Sequence, residues 1–114
     1  MELKLIRKQH PAFVKKVKDQ AYLDDECVCT GCDQWTLSLD YSHILRKSYR
    51  PDLMNEPENG SLQCRKCHNK WDDGNIIEMM ELKDFEHRLC IVAKYDETRF
   101  SIIIGKIREI LNGT

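Results

Sequence analysis

Two Cys-x-x-Cys pairs constrain the fold of this chain more than any other feature. One pair is Cys29-Thr-Gly-Cys32 and the other is Cys64-Arg-Lys-Cys67. In each pair a tight turn lets both thiolates face one metal ion, and a structural zinc ion takes four such ligands in a tetrahedron. Gly31 suits the first of these turns. We therefore predict one structural zinc site made of these four cysteines, with free buried thiols as the alternative.

The two remaining cysteines are predicted to lie outside this site. Cys27 is separated from Cys29 by a single residue, which is a less common chelating arrangement than the two-residue spacing, so Cys29 is preferred as the ligand. Cys90 falls on the apolar face of a predicted helix, where a cysteine usually acts as a small core residue.

The chain is predicted to be a single cytoplasmic domain. It has 114 residues, and its N-terminus lacks the long apolar stretch of a secretory signal. No apolar run approaches the ~20 residues that a membrane span needs. Cytoplasmic cysteines are more often metal ligands or thiols than disulfides. Without an export signal, a c-type haem at Cys64-x-x-Cys67-His68 is not expected, and haem would leave the first cysteine pair unexplained. We expect no membrane and no haem.

Hydrophobic periodicity predicts an α+β chain. Pro11 is expected in the first turn of a helix over residues 11–22, where apolar side chains recur at helical spacing. Alternation over residues 35–44 predicts one or two short strands. Residues 46–63 are rich in proline, asparagine and glycine and are predicted to be a loop. A short helix from near Cys67 to Asp73-Gly74 follows, then two longer helices at roughly 82–94 and 98–111.

The predicted helices flank a central motif region. No repeat or linker divides the chain, so residues 1–114 are treated as one domain with a motif core at about 27–74 and helical flanks at 11–22 and 82–111. The last helix has an apolar stripe that we expect to pack on the protein's own core, with a homodimer interface as the alternative. This stripe consists of Phe100, Ile103, Ile104, Ile107 and Leu111.

A second set of residues lies between and beside the cysteine pairs. His43 is followed by Ile44, Asn59 stands five residues before Cys64, and His68 directly follows Cys67. Each of these elements is weak alone, but all of them in this order are hard to reach by chance. Over residues 29–72 the chain resembles the HNH endonuclease family, in its zinc-containing, phage-like version.

The resemblance implies a ββα-metal fold, in which a two-stranded hairpin and a helix hold one divalent ion, usually magnesium or manganese. The zinc in such proteins is structural, and the expected activity is endonucleolytic hydrolysis of DNA phosphodiester bonds. His43 is the candidate general base, because an imidazole can accept a proton near neutral pH. Asn59 is the candidate orienting group, through its side-chain carbonyl or the loop that it shapes. His68 is the candidate ligand of the catalytic ion, whereas His10 and His87 lack this context and are predicted to be structural.

The sequence departs from the commonest family pattern at one position. The residue before the base histidine is often an aspartate or histidine that binds the ion, but here it is Ser42. Two carboxylates are candidate replacements. Asp40 shares a strand face with Ser42, and Asp72 lies four residues after His68 on the same helix face. The alternative for both is an exposed acid or a helix cap.

The net charge of −1 gives no overall attraction to nucleic acid, so DNA binding must depend on local basic groups. Six basic residues cluster in sequence around the candidate site and are predicted to contact DNA phosphates. Because Ser42 weakens the expected metal site, the alternative function is a non-catalytic, zinc-stabilised nucleic-acid-binding module. The six basic residues are Arg46, Lys47, Arg50, Arg65, Lys66 and Lys70.

Overall fold

The structure, a computed structural model, describes residues 2–113 and has the predicted α+β architecture. Two short strands pair as an antiparallel hairpin, β1 (Asp40–His43) and β2 (Gly60–Gln63). One long helix precedes this hairpin and four helices follow it. The helices are α1 (Leu3–Leu23), α2 (Arg65–Asp72), α3 (Ile76–Met80), α4 (Phe85–Tyr95) and α5 (Glu97–Leu111).

The hairpin presents different side chains to its two faces. Tyr41 and His43 alternate with Ser42 along β1, and the ring of Tyr41 meets Phe13 of α1 edge-on at a centroid distance of 5.5 Å. Ser42 is fully buried. Opposite His43 lies Gly60, where a Cβ atom would stand 2.5 Å from the Tyr41 ring, so any larger residue would require that ring to move. The hairpin is therefore held between α1 and the protein core.

The predicted strand positions are partly wrong. Within the predicted span 35–44 only residues 40–43 form a strand, and Trp35 makes a single bridge to Val28. Trp35 and Leu37 are 56% and 63% exposed. The alternating apolar residues that predicted a strand there are therefore not buried on one face of a sheet. The predicted loop over residues 46–63 contains β2, because its last four residues, Gly-Ser-Leu-Gln, gain their strand structure from pairing with β1.

The predicted start of the first helix at Pro11 is also wrong, because α1 begins at Leu3 and carries the proline in its interior. A proline inside a helix leaves one carbonyl without its helical partner. The segment before it is held by tertiary contacts: Ile6 is buried, and its carbonyl oxygen accepts a hydrogen bond of 2.8 Å from the Asn55 side-chain amide. These contacts with the loop between the strands account for about two helical turns ahead of the predicted start at Pro11.

The core lies between the hairpin, α2, α4 and α5. Trp71 of α2 is buried, donates its indole N–H to the Ile44 carbonyl at 3.0 Å and packs edge-on against Phe85. From the predicted apolar stripe on α5, Ile103 is buried in this core and Leu111 is 73% exposed. No helix among residues 2–113 is long and apolar enough to cross a membrane.

Candidate active site and metal centre

The four predicted zinc ligands lie together. The sulfur atoms of Cys29, Cys32, Cys64 and Cys67 are all within 4.8 Å of one another, and those of Cys32 and Cys64 are 3.9 Å apart. Four sulfurs bound at ~2.3 Å around a tetrahedral zinc ion would be separated by about 3.8 Å. The cluster therefore fits a zinc ion with little adjustment.

The local chain geometry explains why these sulfurs converge. The turn from Cys29 to Cys32 is closed by a hydrogen bond of 3.3 Å from the Gly31 N–H to the Cys29 sulfur. A Cβ atom on Gly31 would lie 2.8 Å from the Cβ of Cys67, so the two cysteine pairs can meet only because residue 31 is glycine. Cys64 directly precedes α2 and joins it to β2. A bound zinc ion would fasten this turn to the junction of β2 and α2.

Burial changes the acidity of the ligand thiols. Desolvation raises the pKa of the Cys29 and Cys67 thiols above the usual value for cysteine. Zinc binds thiolates, so its binding must displace the protons of these groups. Of the other two cysteines, Cys27 is buried beside the cluster, whereas Cys90 is exposed. The prediction that Cys90 is a core residue is wrong, because it lies on the outer side of α4.

A second feature is a cleft of about 520 Å³ bounded by α1, β1 and α2. It contains His43 from the end of β1 and His68 from α2, together with Asp40 and Asp72. The structure thus brings both predicted histidines and both candidate carboxylates to one opening. The basic side chains that line the cleft are Lys18, Arg46, Lys47 and Arg65.

His43 is fixed by a single backbone group. Its Nε2 lies 3.0 Å from the carbonyl oxygen of Met54. Since a carbonyl only accepts hydrogen bonds, Nε2 carries the proton and donates it, and in the neutral ring Nδ1 keeps a lone pair. Burial lowers the pKa of His43 below the usual 6.5. The ring is therefore neutral at neutral pH and able to accept a proton at Nδ1.

Asn59 is hydrogen-bonded to the loop backbone at Leu45 and Leu53. It is fully buried, and its side-chain oxygen accepts a hydrogen bond of 2.8 Å from the Leu45 N–H. Its amide nitrogen donates to the carbonyls of Leu45, at 3.0 Å, and Leu53, at 3.1 Å. Leu53 immediately precedes Met54, so Asn59 holds the segment whose carbonyl orients His43. Of the two predicted modes of orientation, this geometry favours the loop.

His68 has a carboxylate at each ring nitrogen. Its Nδ1 lies 3.0 Å from Asp40 and its Nε2 lies 3.0 Å from Asp72. The hydrogen bond to Asp72 is the largest cause that raises the pKa of His68 above the usual 6.5, and the bond to Asp40 adds to it. In this arrangement the ring carries both protons.

The same geometry limits how a divalent ion fits. An imidazole and a carboxylate are suitable ligands, but Asp40 and Asp72 stand at opposite nitrogens of His68, so one ion cannot bind both carboxylates and the ring as they are arranged. Among residues 2–113, only the four cysteines form a group of three or more metal-binding side chains with converging ligand atoms. Ser42 is fully buried and does not line the cleft.

The predicted phosphate-binding residues divide into two sets. Arg46, Lys47 and Arg65 line the cleft. Arg50 lies elsewhere, because its guanidinium pairs with Asp52 at 2.8 Å and donates to a backbone carbonyl near the end of α4. The other two, Lys66 and Lys70, line a separate shallow pocket on the outer side of α2.

The cleft also has a wall from α1 that was not predicted from the sequence. His10 was predicted to be a structural histidine, yet it lines the cleft together with Val14 and Lys18. His10, Val14 and Lys18 follow one another at steps of four residues, which places them on one helix face, and this periodicity is the signal in the sequence that could have found them. The start predicted at Pro11 removed His10 from the helix.

Comparison with known families matches residues 27–77 to the model described as HNH endonuclease. The matched segment contains both cysteine pairs, the hairpin and α2, and it excludes α1, α4 and α5. No curated protein and no solved structure gave a match to the chain. The resemblance drawn from the motif is confirmed, and it implies a nucleic-acid substrate.

Proposed function

We propose that this chain, whose residues 27–77 belong to the HNH endonuclease family, is a metal-dependent endonuclease that hydrolyses DNA phosphodiester bonds. The observation that carries the proposal is the convergence of His43 from β1 and His68 from α2 on one cleft. The cleft also offers Arg46, Lys47 and Arg65, whose positive charges suit the phosphates on either side of a scissile bond.

In this mechanism His43 is the general base. Its Nδ1 accepts a proton from a water molecule, whose oxygen attacks phosphorus as the ester oxygen departs on the opposite side. The hydrogen bond from Nε2 to Met54 fixes the tautomer that this step requires. The lowered pKa of His43 keeps the base free of its second proton at neutral pH.

The divalent ion is assigned to His68 and Asp72. Asp40 is already paired with the Arg65 guanidinium at 3.0 Å, whereas the contact between Asp72 and Arg46 Nε is longer, at 4.0 Å. Asp40 then accepts a hydrogen bond from the Nδ1–H of His68 and aligns the ring, as carboxylates beside metal-binding histidines commonly do. A bound Mg²⁺ or Mn²⁺ supplies positive charge against the negative charge that develops at the phosphate.

Separate substitutions of the two carboxylates distinguish these roles. We expect Asp72→Asn to raise the Mn²⁺ concentration that gives half-maximal cleavage by more than ~100-fold, because a ligand is lost. Asp40→Asn should raise it by only about 10-fold, because it affects the ion through His68. Asp52→Asn is the matched control, since Asp52 pairs with Arg50 outside the cleft. An Asp40→Asn effect larger than that of Asp72→Asn would reverse the assignment.

The pH dependence should separate the two histidines. The pKa of His68 is raised above 6.5, and below that pKa a proton on the ring competes with the ion. The apparent affinity for Mn²⁺ should therefore begin to fall while the pH is still above 6.5. At saturating Mn²⁺ the rate depends on neutral His43, whose pKa is lowered, so the acid limb of kcat should lie below 6.5. Rate profiles at several ion concentrations measure both. An acid limb of kcat above about pH 7 would contradict His43 as the base.

A second candidate function is a zinc-stabilised module that binds nucleic acid without cutting it. Ser42 favours it, because this residue stands where the family often has a ligand of the catalytic ion, but it is buried and does not line the cleft. Labelled single-stranded, duplex and branched DNA incubated with the protein and Mn²⁺ distinguishes the two candidates. Native gels report binding and denaturing gels report cleavage. Shorter products on denaturing gels support the nuclease and identify its substrate, whereas binding of every form with intact strands supports the module.

A further inference from the structure

A second histidine lies beside the candidate base, and it comes from outside the matched family segment. The rings of His10, on α1, and His43 have centroids 5.2 Å apart and are tilted by 35°. Both rings line the same cleft. The mechanism built on His43 alone leaves this neighbour without a role.

Consecutive residues of one loop orient the two rings. Met54 accepts the hydrogen bond from His43, and the next residue, Asn55, holds His10 through a bond of 2.8 Å between its side-chain oxygen and His10 Nδ1. The Asn55 amide nitrogen donates to the Ile6 carbonyl, which fixes which end of the amide faces His10. Nδ1 of His10 is therefore the donor, and in the neutral ring Nε2 keeps a lone pair.

We propose that His10 is a second catalytic histidine, which holds the attacking water molecule together with His43. This inference rests on the proposed nuclease function. Nδ1 of His43 and Nε2 of His10 each accept a hydrogen bond from the same water molecule. Two acceptors that bind one water at ~2.8 Å lie roughly 4.5 Å apart, a separation that two rings with centroids 5.2 Å apart can provide.

The distance argues against His10 as the general acid for the leaving group. In an in-line displacement the base and the acid stand on opposite sides of phosphorus, and two hydrogen bonds plus the reacting bonds span roughly 9 Å. Rings with centroids 5.2 Å apart are too close for that arrangement. His10 therefore belongs to the side from which water attacks.

The step balances with His10 as a hydrogen-bond acceptor. The water oxygen forms the new bond to phosphorus, and the bond from phosphorus to the ester oxygen breaks. One water proton passes to Nδ1 of His43. The other stays on the oxygen that becomes part of the phosphate, hydrogen-bonded to Nε2 of His10 until the product leaves. The departing oxygen takes a proton from solvent water.

This role gives a reason for the position of α1. Ile6 is buried and its carbonyl is held by Asn55, so the helix is fixed to the same loop that orients His43. From that anchor, His10, Val14 and Lys18 form one side of the cleft. The helix is thus a wall of the catalytic site.

Substitution of His10 tests the proposal with duplex DNA and saturating Mn²⁺. We expect His10→Phe to lower kcat about 10- to 100-fold, because the water loses one of its two acceptors, with KM for DNA changed less than about twofold. His10→Gln should recover most of the rate, since its side-chain oxygen can accept the same hydrogen bond. His87→Gln, on an exposed histidine of α4, is the matched control.

Each outcome bears on a definite claim. Wild-type kcat in His10→Phe, or a rise in KM with kcat unchanged, overturns the water-holding role and leaves the nuclease intact. A His10→Gln variant as slow as His10→Phe, with zinc content and thermal unfolding like those of the wild type, also overturns it. If the wild-type protein cuts no DNA, the proposed function fails, and the role of His10 fails with it.

Discussion

His43→Ala is expected to reduce the rate of DNA cleavage by about 10²- to 10⁴-fold, the usual contribution of a general base. The substitution removes a ring that combines a fixed hydrogen bond to Met54, a lowered pKa and a place in the cleft beside His68. Single-turnover cleavage of a labelled duplex with excess protein and saturating Mn²⁺ measures the chemical step without product release.

A second variant separates chemistry from folding. His43→Gln can still donate to the Met54 carbonyl but has no group that takes up a proton at neutral pH, so it should be as slow as His43→Ala. Zinc content and thermal unfolding of both variants should stay near those of the wild type. His87→Ala, which lies away from the cleft, should cleave at the wild-type rate. Cleavage by His43→Gln within about threefold of the wild type would remove His43 from the mechanism.

Cys67→Ser is expected to unfold the protein or leave it only partly folded. Cys67 is 3% exposed, and its sulfur lies within 4.8 Å of the three other sulfurs. Structural zinc sites supply about 10–16 kcal/mol of apparent binding free energy, which is as large as the whole of the about 5–15 kcal/mol that separates most folded domains from the unfolded chain. Loss of one thiolate therefore removes most of the support at the junction of β2 and α2.

Two other cysteines serve as controls for this prediction. Cys27→Ser changes a buried thiol that is not in the cluster, and Cys90→Ser changes an exposed one. Elemental analysis should find one zinc per chain in both controls and much less in Cys67→Ser, and circular dichroism should show cooperative unfolding only in the controls. A Cys67→Ser protein that keeps one zinc and unfolds like the wild type would contradict the four-cysteine site.

The parts of the site that could be predicted from sequence depend on short-range geometry. Two cysteines separated by two residues can share a metal whatever the rest of the fold does, so both pairs could be assigned. His68 and Asp72 lie four residues apart on one helix, which fixes their common face before any tertiary contact is known. The order of His43, Asn59 and His68 around the cysteines then indicated the family.

The parts that could not be predicted depend on contacts between distant segments. His10 meets Asn55 across 45 positions of sequence, and no local pattern indicates that this pair will form. β2 has a single strongly apolar side chain, that of Leu62, and owes its strand structure to pairing with β1. The first two turns of α1 extend ahead of Pro11, where proline usually opens a helix, because tertiary contacts hold Ile6.

For Asn59, the sequence motif indicated the residue but not the contacts that it makes. The motif indicated an orienting role, either through the side-chain carbonyl or through the loop. In the structure that carbonyl is used by the Leu45 N–H, and the amide nitrogen holds the backbone before Met54. Sequence pattern alone cannot choose between these modes, because the choice depends on how the loop between the strands closes.

Metal-dependent DNA cleavage by this protein is tested most directly by converting supercoiled plasmid DNA to nicked or linear DNA in the presence of Mg²⁺ or Mn²⁺. Zinc-containing wild-type protein should produce nicked or linear DNA with either ion, and should produce none when neither ion is added or when His43→Ala replaces the wild type. Plasmid that stays supercoiled with both ions would contradict a nuclease acting on duplex DNA. Equal cutting by wild type and His43→Ala would contradict the mechanism.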